Sequence, residues 1–439
     1  MLQEISAEPA FGDQTKLADA MSDVARGMHI SGILKISIEI RAMVAAGKKV
    51  YNLALGDFDP RYFPAPEKLV LSIQRALKNG ATNYPPPFGL SALRQAVGDY
   101  VERSCGVRYP MESILISCGG RPIIYGAYRT VVSPGDTVVY SVPSWQNDSY
   151  AWLSGAREIE VEAHSRNGFQ PTLDELAPHL KDARLLCLCS PGNPTGTAME
   201  PEVFRSILEA VVEENHRRER SGSGGGKPLF VLYDQIYGAL RVKGDKQRYA
   251  VALVPECAQY VMSMDGISKA FASTGLRLGW VLAPPAIVKK MGDLLSHVGA
   301  WAPHAEQVGV TELLNDPDTI VAYRKKMDDD LHRSLGAMHD GFAAMRDEGL
   351  PVDVLYPDGA IYVSLRLDLI GRSAGGKRIT DNETIRTLLL EKTGIAVVPF
   401  QAFGLKHETG WVRLSAGGIS PQEIQEIFPR VRAFVAEFR

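Results

Sequence analysis

Cysteine is scarce in this chain, with five in 439 residues, and neither sign of charge is in excess. Acidic and basic residues nearly cancel, leaving a formal charge of -3, so no basic face for nucleic acid or an anionic membrane is advertised. No apolar run approaches the length of a membrane span. The opening Met1-Leu2-Gln3-Glu4 lacks the basic and apolar regions of a secretory signal. Together these absences set the expectation of a soluble cytoplasmic protein with no nucleic-acid or membrane partner. The cysteines (Cys105, Cys118, Cys187, Cys189 and Cys257) lie mostly in apolar, strand-like runs, which suits reduced, buried thiols. Alternation puts Cys187 and Cys189 on one strand face, but no second pair of ligand spacing accompanies them, so no metal site is expected. Internal repeats are also lacking.

What is present is length enough for about two to three domain-sized units. From about Ile114 to Pro284, short apolar runs alternate with helical stretches, the pattern of an α/β unit with a mostly parallel sheet. Strands are expected at 113–117, 137–141, 158–162, 184–190, 229–234, 260–264 and 278–283, with helices at 121–132 and 202–217. The Gly-rich tract 221–227 lacks phosphate-loop spacing and reads as a flexible surface connection. Beyond about residue 315 a long charged helix (317–346) and shorter strands at 360–366, 396–399 and 411–414 suggest a second, α+β unit. The first thirty residues read as an arm.

Several residues stand out, each with a plainer reading when taken singly. Ser190-Pro-Gly-Asn-Pro-Thr-Gly196 could be a turn, Asp234 a helix cap, Lys269 or Arg277 any surface cation. Together they read differently. Asn193, Asp234 and Lys269 each fall at or just past the C-terminal end of an expected strand, the edge where open parallel sheets bind ligands. An amide, a carboxylate, a phenol (Tyr237), an amine and a guanidinium gathered there are the groups that a phosphorylated pyridine aldehyde needs.

Four motifs, SPGNPTG (190–196), YDQIY (233–237), SKAFASTGLRLGW (268–280) and WVRLS (411–415), carry a family resemblance. From about Val50 to the C-terminus the chain resembles the fold-type I pyridoxal-phosphate (PLP) enzymes of the class I/II aminotransferase family, and most of all its bacterial aspartate aminotransferase branch. The resemblance implies an α/β fold with a large PLP-binding domain (61–315) built on a mostly parallel seven-stranded sheet. It also implies a smaller α+β domain (31–60 and 316–439) and the arm (1–30). By the same resemblance Lys269 forms the Schiff base with PLP and, once displaced, moves the proton between Cα and C4′. Asp234 pairs with the pyridinium nitrogen, and Asn193 and Tyr237 bond the 3-oxygen. Gly120 and Arg121 at a helix start, Ser268, Arg277 and (from the other subunit) Tyr84 hold the phosphate, while Trp145 stacks on the ring. Arg413 takes the substrate α-carboxylate under a loop containing Gly56. The implied assembly is a homodimer with shared active sites.

Three departures from the family pattern bear on the substrate. Gly266 stands where many relatives have serine. Arg121 stands near a lysine of the aspartate branch, where a guanidinium either reads a distal carboxylate or is simply solvated. In the segment 296–304, Trp301 would narrow the pocket or favour an apolar or aromatic side chain. His297 and His304 share a helical face only if Pro303 does not break the helix. The expected reaction moves an amino group between an acidic L-amino acid and a 2-oxo acid. Alternatives are a PLP-dependent β-eliminating lyase, an aminotransferase for aromatic or apolar amino acids, and a PLP-binding effector module, against which no DNA-binding region is evident.

Overall fold

The structure, a computed structural model, describes residues 14–28, 32–221, 226–242, 249–374 and 376–438. Seven apolar runs converge in one sheet: β1 (Ile114–Ser117), β2 (Thr137–Val142), β3 (Arg157–Glu162), β4 (Ala183–Cys189), β5 (Phe230–Asp234), β6 (Val261–Gly266) and β7 (Gly279–Leu282). They lie in the order β1-β7-β6-β5-β4-β2-β3. The pairs from β6 to β3 are parallel, whereas β7 runs antiparallel to both its neighbours. Every residue of β1, β6 and β7 is buried, as continuous apolar runs covered on both faces should be. The edge strand β3, Arg-Glu-Ile-Glu-Val-Glu, instead carries charges that discourage edge-to-edge pairing.

This topology positions the site. The C-terminal ends of β1, β4, β5 and β6 lie along one edge of the sheet, and because β7 is reversed it begins at that same edge. All seven expected strands form, with shifts of one or two residues at their ends. The expected helices form as α2 (Gly120–Val131) and α3 (Pro201–Arg220), preceded in the chain by α1 (Gly32–Ala45).

A second sheet, wholly antiparallel, joins β8 (Val352–Val354), β9 (Tyr362–Leu367), β10 (Val398–Pro399) and β11 (Trp411–Ser415) in the order β10-β11-β9-β8. The 31-residue helix α4 (Pro317–Asp347) adds Leu331, Leu335, Met338, Phe342 and Met345 to its apolar core. Their alternating spacing of four and three keeps them on one helical stripe. Tyr51, Leu53, Phe58 and Phe63 join the same core, and Tyr51–Asn52 pairs in parallel with Ile395–Ala396. Chain from before residue 64 is thereby packed with chain from beyond 316.

Within the expected arm, residues 1–13, 29 and 30 lie outside the described residues, as do 222–225 of the Gly-rich tract. The described part of the arm contains the short helices Gln14–Asp19 and Asp23–Arg26, with Trp152 Nε1 donating to the Val24 carbonyl at 3.0 Å. His297 and His304 fall on separate helices, Pro285–Val298 and His304–Leu314, with Pro303 just ahead of the second. Among the described residues there is no group of three or more metal-ligating side chains, and no helix is long and apolar enough to cross a membrane.

Candidate active site

Lys269 lies in the short helical turn Ile267–Ala270 directly after β6, and is 9 % exposed. Its Nζ donates to the Gly56 carbonyl at 2.6 Å. Burial, opposed by Asp57 and reinforced by the guanidinium groups of Arg413 and Arg277, lowers its pKa to about 8. Asp234, the last residue of β5, is pushed the other way: burial raises its pKa to about 6, although its Oδ1 accepts the Ile236 N–H at 3.0 Å. Among the described residues no cation stands within ion-pair distance of Asp234. A part-buried carboxylate with a raised pKa and a buried amine with a lowered one, neither neutralised by the other, are unusual enough to mark a functional site.

Arg413, in the central strand β11, is 1 % exposed. Its Nη1 donates to Asn193 Oδ1 at 2.9 Å and its Nη2 to the Ala54 carbonyl at 2.7 Å. The guanidinium also lies over the rings of Tyr362 (4.5 Å) and Phe403 (5.0 Å). Burial lowers its pKa, Nε lacks a partner, and no carboxylate among the described residues reaches it. An uncompensated buried ion costs several kcal/mol. Such a guanidinium is prepared for an anion that arrives from outside. Beside it the phenol oxygens of Tyr237 and Tyr362 are 2.7 Å apart, and burial raises both their pKa values.

At the other end of the site α2 begins at Gly120, so its first N–H groups point out of the sheet edge. Gly119, with φ of 91°, takes a backbone conformation that strains any other residue, and a Cβ there would displace the Arg277 guanidinium. Arg277 precedes the reversed strand β7 and is fixed by donating to the carbonyls of Thr274 (2.6 Å) and Cys118 (3.2 Å). The Arg121 guanidinium lies 4.5 Å over the Trp145 ring. Gly266 also has a packing reason. A Cβ added there would sit 2.8 Å from Gly279 Cα and 2.8 Å from the Leu278 carbonyl oxygen, so this backbone has no room for serine.

Residues 48–431 match the family described as aminotransferase class I and II. This chain belongs to that family. The aminotransferase is 28% identical over 412 residues to an aspartate aminotransferase of Streptomyces avermitilis, covering 93% of this chain and 94% of the relative. It is 27% identical over 420 residues to an aspartate/prephenate aminotransferase of Cereibacter sphaeroides, covering 95% and 98%. Among solved structures, the aspartate aminotransferase from Rhizobium meliloti superimposes with a TM-score of 0.85 at 25% identity, over 95% of this chain and 99% of that one. The aminotransferase is of fold type I, and with its family it depends on PLP.

The residues present fit that cofactor. A cavity of about 370 Å³ is bounded by Asp234 without a cation, Lys269 with a depressed pKa, Arg277 beside the start of α2, and the buried Arg413. Those groups complement a ring nitrogen, a carbonyl, a phosphate and a substrate carboxylate respectively. The same cavity is lined by Gly56, Gly120, Arg121, Trp145, Asn193, Tyr237 and Ser268, so eleven of the thirteen sequence-derived site residues meet in it. Tyr84 and Trp301 do not. They pack edge to face at 5.2 Å on the surface, and Tyr84 is 82% exposed.

Sequence reasoning missed Asp57, Thr274, Cys189 and Tyr362, as well as Ile33 and Ser37 of α1, all of which line the cavity. Asp57 is one residue from Gly56, and Thr274 lies inside the motif that contains Lys269. Position alone could have flagged those two. Nothing in the strand pattern of β9 distinguishes Tyr362 from an ordinary core tyrosine.

Proposed function

We propose that this aminotransferase moves the amino group of an acidic L-amino acid, aspartate- or glutamate-like, onto a 2-oxo acid at a site centred on Lys269. The observation that carries the reading is the buried, carboxylate-free guanidinium of Arg413 opening into the same cavity as Lys269, whose pKa is lowered by burial. Arg413 would take the α-carboxylate in a two-pronged grip and thereby bring Cα toward Lys269. The cofactor, when bound, supplies the electron sink for the charge left on Cα when its proton departs. Lys269, buried and readily neutral, is suited to take that proton and return it. Asp234 would keep the cofactor ring nitrogen protonated, and Asn193 and Tyr237 would hold the ring oxygen. Arg277, the start of α2 (Gly120, Arg121) and Ser268 would hold the phosphate, and Trp145 would stack on the ring.

Arg121 is the residue in the cavity wall best suited to a distal carboxylate, which supports an acidic substrate. The names of the relatives, aspartate aminotransferase and aspartate/prephenate aminotransferase, support it too. A panel of amino donors and 2-oxo acids tests the reading. Conversion of the cofactor to its amine form by aspartate or glutamate is expected; conversion by aromatic or aliphatic amino acids alone would refute the acidic assignment.

We further propose a homodimer in which Tyr84 and Trp301 face the neighbouring active site. Supporting it are the exposed apolar side chains Leu34, Ile38, Leu294, Val298 and Tyr84, and a Trp301 Nε1 that has no partner among the described residues. The division into an arm (1–30), a small domain (31–60 and 316–439) and a large domain (61–315) is kept as part of this proposal. So is a cytoplasmic location, which the free state of all five cysteines supports.

A further inference from the structure

Gly56 and Asp57 form a small anionic corner against Lys269. Asp57 Oδ1 lies 4.0 Å from Lys269 Nζ, which donates to the carbonyl of the adjoining Gly56 at 2.6 Å. Among the described residues no other carboxylate comes that close to Nζ. The Asp57 side chain is fixed on both of its oxygens: Thr274 Oγ1 donates to Oδ2 at 2.8 Å and the Phe58 N–H to Oδ1 at 2.8 Å. Its backbone is fixed as well. The Asp59 N–H donates to the Gly417 carbonyl at 2.8 Å, and Gly417 comes so near that any Cβ on it would collide with the Asp57 carbonyl.

The other groups facing Lys269 act in the opposite sense. Arg413, from β11, and Arg277, from the start of β7, both disfavour an ammonium ion, as does burial itself. Tyr237 presents its ring at 5.8 Å, and Tyr362 faces Asp57. A base that must accept a proton and then give it back needs both of its forms within reach near working pH. Two guanidinium groups and a buried setting all push toward the neutral amine. The carboxylate restores the balance.

We propose that Asp57 is a positioning residue for Lys269: tethered by Thr274, it supplies the counter-charge that lets the free lysine hold a proton and keeps its amine directed along the Gly56 loop. The assignment rests on Lys269 being the lysine that carries the cofactor. It adds a residue that acts through Lys269 and assigns Thr274 the task of holding that residue in place.

The test uses the full-length chain stripped of cofactor, so that Lys269 is a free amine. Its acylation by acetic anhydride is followed across pH by peptide mass spectrometry in the unmodified chain and in Asp57→Asn and Asp57→Glu. In Asp57→Asn the midpoint for Lys269 should fall by about one pH unit, the lower end of the effect of a charge at this range, and Asp57→Glu should return it. The basic-form limb of the kcat/KM profile of the cofactor-loaded enzyme should move the same way. A midpoint in Asp57→Asn equal to that of the unmodified chain overturns the proposal. Should Asp57→Asn fail to fold, Thr274→Val replaces it, with a smaller shift of the same sign expected and no shift again overturning the idea. Borohydride reduction of the loaded enzyme followed by peptide mapping tests the underlying reading separately. A cofactor adduct on a residue other than Lys269 would refute that reading without altering the acylation midpoints.

Discussion

Arg413 and Asn193, 220 residues apart in sequence, are joined by a 2.9 Å hydrogen bond from guanidinium to amide oxygen. The side chain proposed to take a substrate carboxylate is thus coupled to one proposed to hold the cofactor. With its oxygen accepting from Arg413, Asn193 has its amide nitrogen to offer a ligand. On the proposed roles of the two residues, substrate grip and cofactor orientation are not separable.

Replacing Arg413 by lysine keeps the charge and removes the planar fork. The kcat/KM for amino acids and oxo acids should fall by about two orders of magnitude, the loss expected for charge-assisted bonds. Reaction with a simple alkylamine, which has no carboxylate, should be little changed. A parallel loss with the alkylamine would place the defect elsewhere.

Asp234 should make cofactor retention pH-dependent. Burial has raised its pKa to about 6, so at neutral pH the cofactor-free chain holds an ionised carboxylate that lacks a cation. Protonation of that carboxylate as pH falls through about 6 weakens its pairing with a ring nitrogen, by up to about tenfold in affinity per pH unit. The sign for the empty chain is the reverse. A carboxyl with a raised pKa favours its protonated form in the fold, so Asp234 costs stability as pH rises past the ordinary carboxyl range toward 6. Equilibrium dialysis between about pH 5 and about pH 8 would show the fall in the unmodified chain and its absence in Asp234→Asn.

The phenols of Tyr237 and Tyr362 should behave as one unit. Removing either hydroxyl leaves the other buried without its partner, at a cost of about 1–3 kcal/mol. Removing both should cost less than the sum of the single changes. Urea unfolding of Tyr237→Phe, Tyr362→Phe and the double variant measures the difference; strict additivity would mean that the 2.7 Å contact contributes nothing to stability.

Placing a serine at Gly266 should be harmful. Backbone atoms of Leu278 and Gly279 occupy the space a Cβ would take, so Gly266→Ser should destabilise the chain by about 1–3 kcal/mol, the usual cost of overpacking. A thermal melt of Gly266→Ser that matched the unmodified chain would show that the two strands can part without penalty.

The sheet was legible because its strands are buried on both faces and therefore read as apolar runs between turn residues. The edge where ligands gather followed from the ends of those runs. Strand direction was less accessible. An antiparallel β7 has the same local pattern as a parallel one, so its reversal emerges only from the pairing. Most of the residues that line the candidate site were legible as well, since Lys269, Asp234 and Asn193 belong to compact motifs. Tyr362 was hidden because its partners are 125 residues away at Tyr237 and on a neighbouring strand at Arg413. The meeting of Arg121 with Trp145 depends likewise on how α2 sits against the loop after β2, which no periodicity encodes.

The reversal of β7 has a consequence for how the chain tolerates change. Because β6 arrives at the active edge and β7 departs from it, Lys269 and Arg277 are the two ends of one short hairpin crossing. The short stretch between them holds a single helical turn, Thr274–Leu276, whose Thr274 carbonyl accepts from the Arg277 guanidinium at 2.6 Å. Insertions elsewhere at the sheet's margins can be accommodated as longer loops. One added residue between Ala270 and Leu276 would throw the lysine and the arginine out of step, so this stretch acts as a spacer whose length is itself under constraint.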